Sequence, residues 1–224
     1  GDYALSCHLN KIEISSDSKL EKIGKFAFES SDIESFQIPP NVQQLGEGPF
    51  KNTKLLKNIQ IMKGNCHFSS IENDKLIVKK SDPKSDNFDA IIFANHDIEE
   101  VNIPSNIKRI ECYSFNLCKK LQKVTFSENS ELEFIGEFAF LESELKSIIL
   151  PSKVSKLDKK WFSCSKLSTV KIMKGNCHFS SIENDNIIVS KTDPKSDNFD
   201  AIIFANRDIE EVNIPSNIKR IEYR

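Results

Sequence analysis

The sequence predicts an α/β solenoid, a coil of stacked rungs instead of one irregular core, and two observations carry that prediction. The first is a long repeat: residues 61–111 recur as residues 172–222, displaced by 111, with five differences over 51 positions (Lys75/Asn186, Leu76/Ile187, Lys79/Ser190, Ser81/Thr192 and His96/Arg207). Each copy must find the same environment twice, which a repeat array allows because every unit contacts only its neighbours. The second is a shorter period inside the long one. A Leu or Ile followed by apolar residues three and five positions later occurs at Leu9, Ile33, Leu56, Ile98, Leu121, Leu145, Leu167 and Ile209, with gaps of 24, 23, 42, 23, 24, 22 and 42 residues. The unit is therefore about 23 residues, with one long unit in each half.

The elements of a unit follow in order. Its last two apolar residues alternate with polar ones, as Val101 and Ile103 do with Asn102, the period-2 signature of a short strand buried on one side. A proline comes next, as Pro104 or Pro151, and ends the pairing because it has no N–H to donate. A second extended stretch returns along the other side with Ile107 and Ile110, or Val154 and Leu157. An aromatic plug closes the unit: Phe28, Phe50, Phe115, Phe140 and Phe162 sit where a short helical turn drops one large side chain into the coil.

The two long units hold extra material. Leu76-Ile77-Val78 and Ala90-Ile91-Ile92-Phe93 are apolar runs separated by the polar stretch from Ser81 to Asn87, and the second copy repeats them as Ile187-Ile188-Val189 and Ala201-Ile202-Ile203-Phe204. A Pro/Asp/Ser/Asn cluster between two such runs is a turn signal, so each long unit carries an inserted β-hairpin in line with the coil. Two thin rungs are the alternative. The chain from 1 to 224 is expected to be a single solenoid of two internal copies, about 15–126 and 127–224, cut mid-repeat at its C-terminal end.

Several positions recur together: Gly24-Lys25-Phe26-Ala27-Phe28, Gly136-Glu137-Phe138-Ala139-Phe140 and Ile103-Pro104-Ser105-Asn106-Ile107. From about Leu9 onward this pattern resembles the leucine-rich repeats of the BspA-like surface antigen family. Asp158-Lys159-Lys160-Trp161 departs from it, lacking the Gly and Ala. The resemblance implies a right-handed leucine-rich-repeat solenoid, horseshoe-like, with parallel β rungs, short helical turns and the two inserted β-hairpins. It also implies adhesion or binding at the surface of bacteria or protist parasites.

Composition narrows the classes of function. Lys+Arg 31 against Asp+Glu 33 leaves a net charge of -2 with the signs interspersed, so no basic face for nucleic acid or an anionic membrane is expected. No apolar run approaches a membrane span, so direct membrane insertion is not expected of these residues. Cys118 and Cys164 occupy like positions two rungs apart, at about 4.8 Å per rung, which exceeds the Cα limit of about 7 Å for a bridge. Cys66 and Cys177 lie further apart still, and the six cysteines are read as free, mostly buried thiols.

The residues offer little chemistry. No dinucleotide fingerprint, P-loop, Gly-x-Ser-x-Gly or His-Glu-x-x-His is present, and no cofactor or metal is expected. Cys66-His67 and Cys177-His178 read as a packing cysteine beside an exposed histidine. Asp82/Asp86/Asp89 and Asp193/Asp197/Asp200 lack the spacing that wraps oxygens around calcium. Glu99-Glu100 and Glu210-Glu211 are neighbours on a strand, whose side chains do not converge.

What remains is surface. The outward row of the strands runs through Glu100, Asn102, Lys123, Thr125, Ser147 and Ile149, polar and nearly without the aromatic anchors of binding hot spots. The hairpin tips around Asp82 and Asp86, and around Asp193 and Asp197, form the competing contact surface. A coil whose rungs touch only their neighbours is expected to enclose no pocket, so the partner should be a protein or matrix macromolecule. The expected function is non-enzymatic recognition, either as a cell-surface or secreted adhesin or antigen, following the resemblance, or as a cytoplasmic protein-protein scaffold. Free thiols and the lack of an Asn-x-Ser/Thr site point to the second. Oligomeric state is open.

Overall fold

The computed structural model describes residues 1–161, 163 and 166–222. Phe162 and Cys164, expected as a plug and a free thiol, lie outside the described residues. The strands are β1 (Lys22–Ile23), β2 (Ser35–Ile38), β3 (Gln44–Leu45), β4 (Asn58–Ile61), β5 (Phe68–Ile71) and β6 (Leu76–Lys79). They continue as β7 (Ala90–Ala94), β8 (Glu100–Ile103), β9 (Arg109–Ile110), β10 (Lys123–Phe126), β11 (Phe134–Ile135) and β12 (Ser147–Leu150). The last are β13 (Lys156–Leu157), β14 (Thr169–Ile172), β15 (Phe179–Ile182), β16 (Ile187–Ser190), β17 (Ala201–Ala205) and β18 (Arg220–Ile221).

The result is a β-solenoid. Its front face is built of parallel ladders β2–β4, β8–β10 and β12–β14, one strand per rung. Alternation does what the pattern predicts: Phe36, Ile38, Val101, Ile103, Ile148 and Leu150 are buried, while Ser35, Gln37, Glu100, Asn102, Ser147 and Ile149 face out. The back face pairs β1 with β3 and runs β9, β11 and β13 side by side, all parallel. Of the eight strand patterns, those at Leu9 and Ile209 form no strand. Each stands at an end of the described coil, and Val212 and Ile214 are 40% and 51% exposed.

The plugs fill the middle. Phe28 stacks on Phe50 at 5.4 Å and Phe115 on Phe140 at 5.1 Å, all four buried. Full burial of one such side chain stabilises by about 1.5–3 kcal/mol. They are not delivered by helical turns, since no helix forms among the described residues. The reason lies in where the backbone donors go. The N–H groups of Phe26, Phe28 and Ser30 donate to the carbonyls of Glu47, Pro49 and Lys51 in the next rung, and those of Tyr113, Phe115 and Leu117 to Glu137, Ala139 and Leu141. Alternate donors are spent between rungs, and Phe26, Ser30, Tyr113 and Leu117 take positive φ to aim them, which stops an α-helix from propagating.

Each long unit is one widened rung, not two thin ones. The predicted hairpin is there as β6 antiparallel to β7, but β5 pairs antiparallel with β6 as well, giving a three-stranded meander that joins the back sheet through β7 beside β9. The second copy repeats it as β15, β16 and β17, with β18 beside β17. The meander turns at Glu72-Asn73-Asp74, all at positive φ. Asn65 ties it to the preceding rung, donating to the carbonyls of Pro39 and Val42 and accepting the N–H groups of His67 and Phe68; Asn176 does the same with Pro151, Val154, His178 and Phe179. Its strands reach the core, with Leu76, Ile77, Val78 and Ile91 fully buried, and its tips are in solvent.

Candidate recognition surface

The front face is a broad surface that the repeat builds rung by rung. Parallel pairing sets Glu100 opposite Lys123, Asn102 opposite Thr125, Ser147 opposite Thr169 and Ile149 opposite Lys171. Neighbouring rungs therefore bring like positions together, and the side chains pair along the coil axis. Lys123 Nζ lies 3.5 Å from Glu100 Oε2, Thr125 Oγ1 bonds Asn102 Oδ1 at 3.1 Å, and Gln37 Nε2 donates to Gln60 Oε1 at 3.1 Å. These pairs are solvated and individually worth little, about 0–1 kcal/mol, so a partner can displace them cheaply. Amid the polar row stands Ile149, 49% exposed.

The hairpin tips are held from within. Asp89 accepts from the Ser81 N–H and hydroxyl, both at 2.8 Å, and Asp200 accepts from Thr192 in the same way. Lys219 Nζ reaches Asp200 at 2.9 Å, and the Lys219 contact together with the Thr192 donors holds that carboxyl at about 2, well below its usual range. Asp82, Asp86, Asp193 and Asp197 are exposed, Asp82 and Asp193 each accepting the N–H two residues on. The tips and the front row are thus two separate candidate surfaces: the tips hang from the back-sheet meander, and the row belongs to the front ladders.

Three expectations need correction. The cysteines are not mostly buried: Cys7, Cys66 and Cys177 are exposed and Cys112 half-buried, leaving Cys118 as the buried one among the described residues. Burial pushes the Cys112 thiol up to about 11, and full burial raises that of Cys118 further. At Cys66-His67 and Cys177-His178 the packing residue is the following Phe68 or Phe179, so each cysteine, not the histidine, is the freely exposed group at the first site and both are exposed at the second. No group of three or more His, Cys, Asp or Glu converges among the described residues.

The third correction concerns pockets. A cavity of about 240 Å³ opens at the first meander, beside β3, where the back sheet is interrupted. A row of aromatic rings lies on this side of the coil: Tyr3, Phe26, Tyr113 and Phe138 occupy like positions of their turns, all at positive φ, with rings 5.2–5.6 Å apart and Gly48 at that position between Phe26 and Tyr113. Lys51 lies over Phe26 and Tyr113, at 5.2 and 5.5 Å. The signal was the aromatic second after Gly24 and Gly136, but the period of a single unit does not show that these rings touch.

Comparison with known proteins gives a consistent picture. A family described as BspA type leucine rich repeat region matches in 6 copies over residues 1–75 and 86–192. No curated protein matches the chain. Among solved structures, the pneumococcal vaccine antigen PcpA is 27% identical with a TM-score of 0.58, covering 77% of this chain and 47% of that one. A leucine-rich repeat protein from Eubacterium ventriosum is 22% identical, with a TM-score of 0.58 over 69% of this chain and 40% of that one. A leucine rich cell surface protein from Faecalibacterium prausnitzii is 21% identical, with a TM-score of 0.52 over 74% and 48%. The chain spans less than half the length of each of these proteins.

Proposed function

The chain belongs to the BspA type leucine-rich repeat family, and from that premise we propose that it acts by non-enzymatic recognition of a protein or matrix macromolecule as a cell-surface or secreted antigen. The observation that carries the reading is the front row: largely exposed, in register from rung to rung, with Lys123 paired to Glu100 and Thr125 to Asn102 along the coil, and bearing Ile149 as an apolar anchor. A macromolecule laid across several rungs replaces weak solvated pairs by contacts of its own and buries Ile149. Such binding rests on many modest contacts and weakens with salt. Glu100, Asn102, Lys123, Thr125, Ser147 and Ile149 are the proposed contacts. The tips at Asp82, Asp86, Asp193 and Asp197 are the second surface.

Surface placement draws on the likeness to the pneumococcal antigen. No helix among the described residues is long and apolar enough to cross a membrane. The test is capture from host-cell and matrix extracts by the wild-type protein, by Ile149→Asp with Glu100→Lys, and by a protein with both tips shortened. Loss with the front variant alone supports the front row. Retention of a defined protein from the producing cell's own lysate, with nothing from host extracts, supports the scaffold reading in its place.

A further inference from the structure

The cavity beside β3 exists because two features coincide there. The first meander widens its rung on the back side, and the rung facing it is thinned by Gly46, Gly48 and Pro49. In the second copy Asp158, Lys160 and Trp161 stand where the first has Gly46, Gly48 and Pro49, and Trp161 is buried at 2% exposure. The hollow beside β13 carries Lys156, Asp158, Lys159, Lys191 and Glu222 on its lining, a net charge of +1. Two nearly identical insertions thus face different rungs, and the recess at the first carries no net charge. Its inner wall is Ile38, Ile59, Ile77 and Phe93, with the half-buried Leu45 and Ile92 nearer solvent.

Charge decides what fits. The ionised groups on the lining are Lys25, Glu47, Lys79 and Glu111, which sum to zero and are already matched: Lys25 Nζ to Glu47 Oε2 at 3.4 Å and Lys79 Nζ to Glu111 Oε1 at 3.4 Å. Cys112 adds a neutral thiol, half-buried. A charged ligand must break one of these pairs to find a counter-ion, whereas a neutral one leaves both intact and gains apolar burial. An apolar cavity of about 150 Å³ holds one benzene, so 240 Å³ has room for a two-ring aromatic or a molecule of similar bulk. We propose that this cavity is a binding site for a small uncharged apolar ligand, separate from the front face.

The test uses two dyes of like shape that differ in charge, N-phenyl-1-naphthylamine and 1-anilinonaphthalene-8-sulfonate. The neutral dye should bind saturably at one equivalent with enhanced fluorescence, and the sulfonate weaker by about tenfold or more. Leu45→Trp and, separately, Ile92→Phe fill the recess and should each weaken the neutral dye by a similar factor, while Ile149→Asp should leave it unchanged. That last variant separates this site from the recognition surface. As a readout needing no variant, saturating neutral dye should slow alkylation of Cys112 with Cys66 and Cys177 unaffected. Absence of saturable binding, a folded filled variant that binds as wild type, equal affinity for the sulfonate, or an unchanged Cys112 rate would each overturn the assignment.

Discussion

Phe26 and Tyr113 meet edge to face with ring centroids 5.6 Å apart, directly across Gly48. The widened rung contributes no turn of its own to this side of the coil, so the turns before and after it come into contact. The neighbouring bond from the Asn52 N–H to Asn116 Oδ1, 3.0 Å, marks the same junction. Gly48 has φ +49, and a Cβ there would lie 2.8 Å from Tyr113 Cδ2 and 2.9 Å from Phe26 Cε1.

Gly48→Ala should therefore lose stability twice, through backbone strain of about 1–3 kcal/mol and through displacement of the two rings. Gly175→Ala, at φ +92 with nothing within 4 Å, carries the strain alone. Chemical denaturation should rank Gly48→Ala as the more damaging; equal losses would show that the rings do not constrain this position.

The core should respond by register. Phe140→Ala removes a buried stacked plug and should cost about 3–5 kcal/mol, and Ile148→Ala about 2–5 kcal/mol. Exposed Lys146→Ala should stay within about 0.5 kcal/mol. Similar melting shifts for Phe140→Ala and Lys146→Ala would contradict the assigned inward and outward faces.

Acid should destabilise the fold in two separable windows. His96, beside the Phe93 ring at 5.5 Å, is held near 4 by burial, so the unfolded chain takes up its proton first. Its contribution is complete above about 6.5 and declines as pH falls toward 4. Asp200 is depressed from 3.8 to about 2, so its contribution is present above 3.8 and declines as pH falls toward 2. Melting temperature against pH should lose the upper window in His96→Asn and the lower one in Asp200→Asn; identical profiles for both variants and wild type would refute this.

Thiol reactivity should follow exposure. Cys7, Cys66 and Cys177 should alkylate readily under native conditions, Cys112 more slowly, and Cys118 only on unfolding, as read by mass spectrometry of peptides. Reductant should leave the melting temperature unchanged, and a large shift would reveal a bridge.

Much of the architecture was legible because a solenoid is local: residues that stack are one period apart. The inward positions Val101, Ile103, Ile148 and Leu150 and the plugs Phe28, Phe50, Phe115 and Phe140 followed from spacing alone. The front-row residues could likewise be named as outward-facing, though their pairing along the coil, Lys123 with Glu100, depends on register between rungs. β5 is not apparent in the sequence because Phe68-Ser69-Ser70-Ile71 is polar in its middle and shows no apolar run. The plug turns look helical in the sequence because spacing does not reveal which rung receives the amide donors.

The sequence by itself determined the repeat, its period, the faces of its strands and the place of its two insertions, since these depend on contacts repeated at fixed separation along the chain. Only the tertiary structure decided how the widened rung meets its neighbours. Phe26 against Tyr113 and the recess behind Gly46 and Gly48 arise where the period is broken. At such a break, packing pairs residues that no fixed spacing connects.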